Sequence, residues 1–152
     1  MKYLTEGLQS VTATLWVGGI WATGYVVAPV LFARLGDRAL AGAVAGKLFT
    51  LMAFIGMVCA AYLLVFRLAR HGLRAFRQSV FWIVLLMLLL VLCGEFGIQP
   101  VMESLKEQAL PKQVMESVFR DRFSTWHGIA SVLYVIQSVL GVVLVVLLGR
   151  GR

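Results

Sequence analysis

The chain has 152 residues, of which 61% are hydrophobic and 14% charged, and it carries a formal net charge of +7. An average soluble domain has roughly 25% charged residues, and one of this size could not hide so much apolar surface from water. The positive balance does not point to nucleic acid, because the basic residues stand between apolar runs rather than along one soluble face; topology and anionic lipid account for it.

Four uncharged runs divide the chain, at residues 7–33, 48–66, 78–94 and 123–149. A bilayer core is ~30 Å thick and a helix rises ~1.5 Å per residue, so ~20 apolar residues cross it. The predicted fold class is all-α: one domain, a four-helix transmembrane bundle with spans near 7–33, 46–68, 78–101 and 113–149.

The first run follows Lys2 and is longer than the ~7–15-residue core of a cleaved signal. Pro29, Phe32 and Arg34 offer no small-residue cleavage site, so a retained first helix is expected. Its Gly18, Gly19, Ala22 and Ala28 provide a surface for close approach, and Thr14, Gly18, Trp21 and Tyr25 form a weak polar stripe. The second span presents a ridge of small residues, Gly42, Gly46, Ala53, Gly56 and Ala60. Lipid is as apolar as leucine, so spans associate through such close contacts and through interhelical hydrogen bonds.

The connection after the second span holds Arg67, Arg70, Arg74 and Arg77 with His71 and no acid. If helix persists there, three- and four-residue steps put the arginines on one face, either as anchors snorkelling to headgroups or as a docking strip for anionic lipid. Arg150 and Arg152 add to the same side, while the connection after the third span sums to zero. Retention of Lys and Arg in the cytoplasm therefore predicts both termini inside, in a bacterial inner membrane. Arg34, Arg38 and Lys47 against Asp37 in the first connection oppose this mildly. Cys59 and Cys93 fall inside spans, form no CxxC pair, and read as packing residues.

Pro111 suits the first turn of a helix, so the fourth helix is expected from near Lys112. Within it His127, Ser131, Tyr134, Ser138 and Gly141 are spaced four, three, four and three, a heptad seam expected to face inward, with Gln137 beside it.

Counting from the opposite helix ends puts Glu95 roughly 24 Å, Lys47 roughly 28 Å and His127 roughly 31 Å up at ~1.5 Å per residue. An acid, a base and an imidazole from three helices thus share one layer near the outer interface. Gln99, one turn beyond Glu95, could donate to its carboxylate. Two readings stand: a structural clamp that sets helix register, or an outer-facing ligand site built from Lys47, Glu95, Gln99, His127, Ser131 and Tyr134. Glu95 and His127 are also the metal candidates, with Met102 or Cys93 as thin reinforcement. Haem held by two axial histidines of one chain is excluded, because His71 lies at the opposite face; single-His haem or copper stays as an alternative. No GxSxG, HExxH or P-loop occurs, which argues against hydrolytic catalysis.

Three segments carry a family resemblance: Val27, Ala28, Pro29, Val30, Leu31 and Phe32; the run from Ala41 and Gly42 through Gly46, Lys47 and Phe49; and Phe123 through Trp126, His127, Gly128 and Ser131. Together with the four-span layout, the chain resembles the transmembrane protein 205-like family of small membrane proteins with a domain of unknown function. A more distant likeness to copper-resistance-D-type membrane proteins raises the metal alternative by analogy. Pro29, Gly42, Gly46, Gly56 and Gly128 are expected to serve structural packing, and the resemblance settles no activity. The expected function is a non-enzymatic binding or assembly role, with membrane lipids and a homo-oligomer or larger assembly as partners. A haem- or copper-handling protein and a proton-coupled transporter acting as an oligomer are the alternatives.

Overall fold

The computed structural model describes residues 2–110, 115 and 117–150. All regular structure there is helical. The first span comprises α1 (Lys2–Trp21), a π-helical segment (Ala22–Val27) and α2 (Ala28–Arg34). The second is α3 (Arg38–His71), which passes through a 3-10 turn (Gly72–Arg77) into α4 (Ser79–Leu92). A second π-helical segment (Cys93–Ile98) leads from α4 into α5 (Gln99–Ala109), and α6 (Arg120–Arg150) completes the bundle. Joined end to end, these make four helices long and apolar enough to cross a membrane.

Each span packs against the one before it in the chain, and α6 closes the ring against α1 and α4. Short connections between antiparallel neighbours dictate this up-down-up-down order. The centre is a cluster drawn from all four spans, in which Trp16, Ala60, Met87 and Leu144 are fully buried beside Leu63 and Val84. Outward positions are large and apolar: Leu15, Phe54, Val58, Leu89, Val132 and Val139 are all exposed. In water such a surface would aggregate; against acyl chains it is the expected outer wall.

Helix ends depart from the uncharged runs for local reasons. Asp37 caps α3, its Oδ1 accepting from the N–H of Ala39 at 2.8 Å and of Leu40 at 3.3 Å. The helix therefore begins at Arg38, ahead of the expected start at position 46, and carries Lys47 on its surface. At the other end, Gly72 takes φ +53°, a value that favours glycine, and the chain tightens into the 3-10 turn. That break leaves Arg67 and Arg70 on α3 and Arg74 and Arg77 on the turn, so the four arginines do not share one helix face. The expected helix start near Lys112, like Pro111, lies outside the described residues; Ser117–Phe119 form a bend and turn, and α6 starts at Arg120.

Small residues set the closest approaches, in part at other positions than the ridge suggested. A methyl group at Gly56 would lie 2.6 Å from the indole Nε1 of Trp16, and one at Gly141 3.1 Å from Val17. Near the start of α3 the fully buried small residues are Ala41 and Ala45, one position before Gly42 and Gly46. At those two glycines a methyl group would only reach ordinary contact distance, 3.9 Å from Phe32 and from Gln99. Gly128 is exposed, and among the described residues no atom lies within 4 Å of an added methyl there, so it does not have the expected packing role. Cys59 is buried in the core, whereas Cys93 is exposed on the wall of the bundle.

Candidate binding site at two interrupted helices

The first and third spans are interrupted in the same way. Each π-helical segment stands just before a proline, Pro29 or Pro100, and at the same offset from it. Proline has no N–H to give and its ring crowds the carbonyl of the preceding turn, so a regular α-turn is unfavourable there. Both helices widen instead. The N–H of Ala28 bonds to the Thr23 carbonyl, and the N–H of Gln99 to the Gly94 carbonyl, each five residues back. Pro29 is exposed; its part is this widening, not packing. π-Turns within helices occur mostly as single insertions and often at functional positions.

Around the first widened turn, α1 is stitched to α6. The Tyr134 hydroxyl donates to the Ile20 carbonyl at 2.6 Å, and its ring lies so close to Gly24 that no side chain would fit there. The Trp21 indole N–H donates to the Ser138 carbonyl at 3.3 Å, and the Tyr25 hydroxyl donates to Ser138 Oγ at 3.1 Å. Ser138 in turn donates to the Tyr134 carbonyl at 2.8 Å. Tyr134 is thus committed to holding two helices together, and its ring is met edge-on by Phe49 of α3 at 5.1 Å.

The residue after Phe49 connects the second widened turn. Thr50 Oγ1 donates to Glu95 Oε2 at 3.3 Å. Glu95 lies inside this π-helical segment and is half-buried. It is the sole acid of the expected third span, 78–101, and a carboxylate within a span is costly unless it has partners or a ligand. Phe49 and Thr50 therefore bridge the two interrupted helices. On α6, Gln137 is only 5% exposed, and among the described residues neither its amide nitrogen nor its oxygen meets a partner. A buried amide left unpaired costs about 1–3 kcal/mol.

The layer expected from helix counting is only partly assembled. Glu95 is in it, but Lys47 and His127 are exposed, and among the described residues no ion pair or hydrogen bond joins either to Glu95. The His127 ring instead stacks on Phe123 at 6.0 Å. Gln99 turns away from Glu95 and donates to Glu103 at 3.4 Å. Ser131 is exposed, its hydroxyl donating back to the His127 carbonyl at 2.8 Å. The upper part of the heptad seam thus faces outward, and only Tyr134, Ser138 and Gly141 turn in. No group of three or more His, Cys, Asp or Glu side chains able to hold a metal ion gathers among the described residues. The donors weighed for copper or haem are dispersed: His127 and Cys93 face out and Met102 is buried.

At the far end of the bundle lies a polar cleft of about 360 Å³, which helix counting did not anticipate. Arg70 pairs with Glu6 of α1 at 3.0 Å, each about one-third exposed. Arg67 is half-buried and donates to Gln78 Oε1 at 2.6 Å; with the Gln9 amide oriented to accept, it also donates there at 3.0 and 3.1 Å. These two arginines cross-link three helices rather than reach freely for lipid, whereas Arg74 and Arg77 remain exposed.

Residues 11–111, which include both interrupted helices and Glu95, match a family described as a domain of unknown function, DUF4149. The chain belongs to the DUF4149 family. It is an integral membrane protein of that family by its four apolar helices. No curated protein and no solved structure matches it. The DUF4149 match stops short of α6, so Tyr134, Gln137 and Ser138 lie beyond it.

Proposed function

We infer that this DUF4149 protein is a non-enzymatic binding protein of the membrane that takes a small cation at Glu95. The observation that carries this reading is the Glu95 carboxylate itself: it is half-buried inside a membrane-length helix, it sits on the widened turn before Pro100, and among the described residues its one hydrogen bond comes from Thr50. A single neutral donor does not balance a charge at that depth, and a bound cation would. Interrupted helices at corresponding places of two halves are where membrane proteins commonly build solute sites, because the widened turns release backbone carbonyls. Gln137 of α6 carries a buried amide with no partner among the described residues. Lys47 and His127, both exposed, are left out of this site. The likeness to transmembrane protein 205-like proteins agrees with the layout and adds no activity.

The test is a thermal unfolding series of the detergent-purified protein with sodium, magnesium, zinc and copper ions, for the wild type and for Glu95→Gln. At least one ion should raise the midpoint of the wild type and leave Glu95→Gln unmoved. Identical responses of the two proteins to every ion would overturn the reading. Transport is a second reading that the pairing of the two interrupted helices favours. It predicts proton flux in reconstituted vesicles, abolished by Glu95→Gln.

A further inference from the structure

We propose that the cleft between α1, the end of α3 and the start of α4 binds the phosphate of an anionic lipid headgroup. This site is separate from Glu95, at the opposite end of the bundle, and does not depend on the reading given there.

The charges favour an anion. Arg67 and Arg70 line the cleft against one acid, Glu6, so the walls carry a net positive charge even with His71 neutral. Arg67 is held from two sides by Gln9 and Gln78, which fixes its guanidinium in place before any ligand arrives. Arg70 is already drawn into the cleft by Glu6. His71 Nδ1 faces the Arg67 carbonyl at 3.4 Å, which orients the imidazole beside both arginines. A guanidinium locked in this way loses little entropy on meeting a phosphate, to which it offers the N–H groups that Gln9 and Gln78 leave on Nη1 and Nη2. Ser79, at the start of α4, lines the same space.

The lining favours a lipid over a free anion. Apolar side chains, Phe66, Val80, Leu147 and Leu148, line it alongside the polar ones. A volume of about 360 Å³ lies within the ~300–1,000 Å³ of ordinary small-molecule sites. The cleft stands where four membrane-length helices end, so phosphate would meet the basic side while acyl chains continue along the outer wall. Basic pockets between spans are a known way to hold acidic headgroups.

The experiment is native mass spectrometry of the full-length protein in neutral detergent, with phosphatidylglycerol or phosphatidylcholine added, paired with a thermal series in inorganic phosphate. The wild type should retain phosphatidylglycerol in preference to phosphatidylcholine. Arg70→Gln should weaken retention about fivefold, the effect of one basic residue at an anionic surface. Glu6→Gln, which removes the competing carboxylate, should strengthen it. Arg74→Gln and Arg77→Gln, exposed and outside the cleft, should change it by less than about twofold, since a basic side chain acts strongly only near the bound charge. Equal retention of the two lipids, or an equal loss with Arg74→Gln, would overturn the proposal in favour of diffuse attraction. Stabilisation by inorganic phosphate without lipid preference would overturn the lipid assignment and leave a soluble anion as the occupant.

Discussion

Trp16 and Gly56 show how one missing side chain governs a bundle. The indole of Trp16 has no exposed surface and fills the centre, and it can do so because Gly56 offers bare backbone across from it. Gly56→Ala should therefore destabilise the detergent-solubilised protein by about 1–3 kcal/mol, the usual cost of overpacking, and lower its thermal midpoint. Gly46→Ala, with room to spare beside Gln99, should leave the midpoint unchanged within error. Equal effects of the two would show that the Trp16 contact does not limit stability. The sequence marked both glycines alike, because spacing shows that small residues recur but not which one meets a large partner. It also concealed Thr50. A single hydroxyl in an apolar span carries no pattern, and its value appears only when α3 and the widened turn at Glu95 are side by side. Glu6 was concealed for a different reason: it precedes an apolar run as any terminal charge does, and only a count from the inner helix ends sets Glu6 and Gln9 level with Arg70 and Arg67.

The widened turns act on whole helices. An α-helix advances by about 100° per residue, and a π-turn absorbs one extra residue without rotating the helix beyond it. The buried face of α5, formed by Met102, Leu105 and Ala109, keeps its phase relative to α4 only because the segment Cys93–Ile98 takes up that residue. Deleting exposed Phe96 together with Pro100→Ala should restore regular α-helix while leaving that face inward. The variant should purify as a folded species with a thermal midpoint close to the wild type. Deleting exposed Leu89 from the regular part of α4 should turn everything beyond it by about 100° and abolish folding. If both deletions fold, or neither does, the segment is not an absorbed insertion. The prolines were legible and the widening was not, since a proline in an apolar run is compatible with a kink, a break or a π-turn. Directions around the helices were not legible either. Lys47, Glu95 and His127 stand on three helices in one predicted layer, yet only Glu95 turns inward, because a small error in helix phase, accumulated over several turns, moves a side chain from core to wall.

For the molecule as a whole, the four spans were plain from the uncharged runs, whereas their ring order is seen only in the structure. The excess of arginine around Gly72 predicts that this end faces the cytoplasm. Single cysteines at Gly36 and at Arg74, in a chain lacking Cys59 and Cys93, should separate the two sides. In intact cells a membrane-impermeant maleimide should label the first and not the second; the reverse pattern would invert the orientation. The tight reversal at Gly72 has a consequence for biogenesis. With only a 3-10 turn between them, α3 and α4 have no slack to enter the bilayer at separate times. They should leave the translocon as one pre-paired hairpin, with α1 and α6 docking onto its two flanks afterwards.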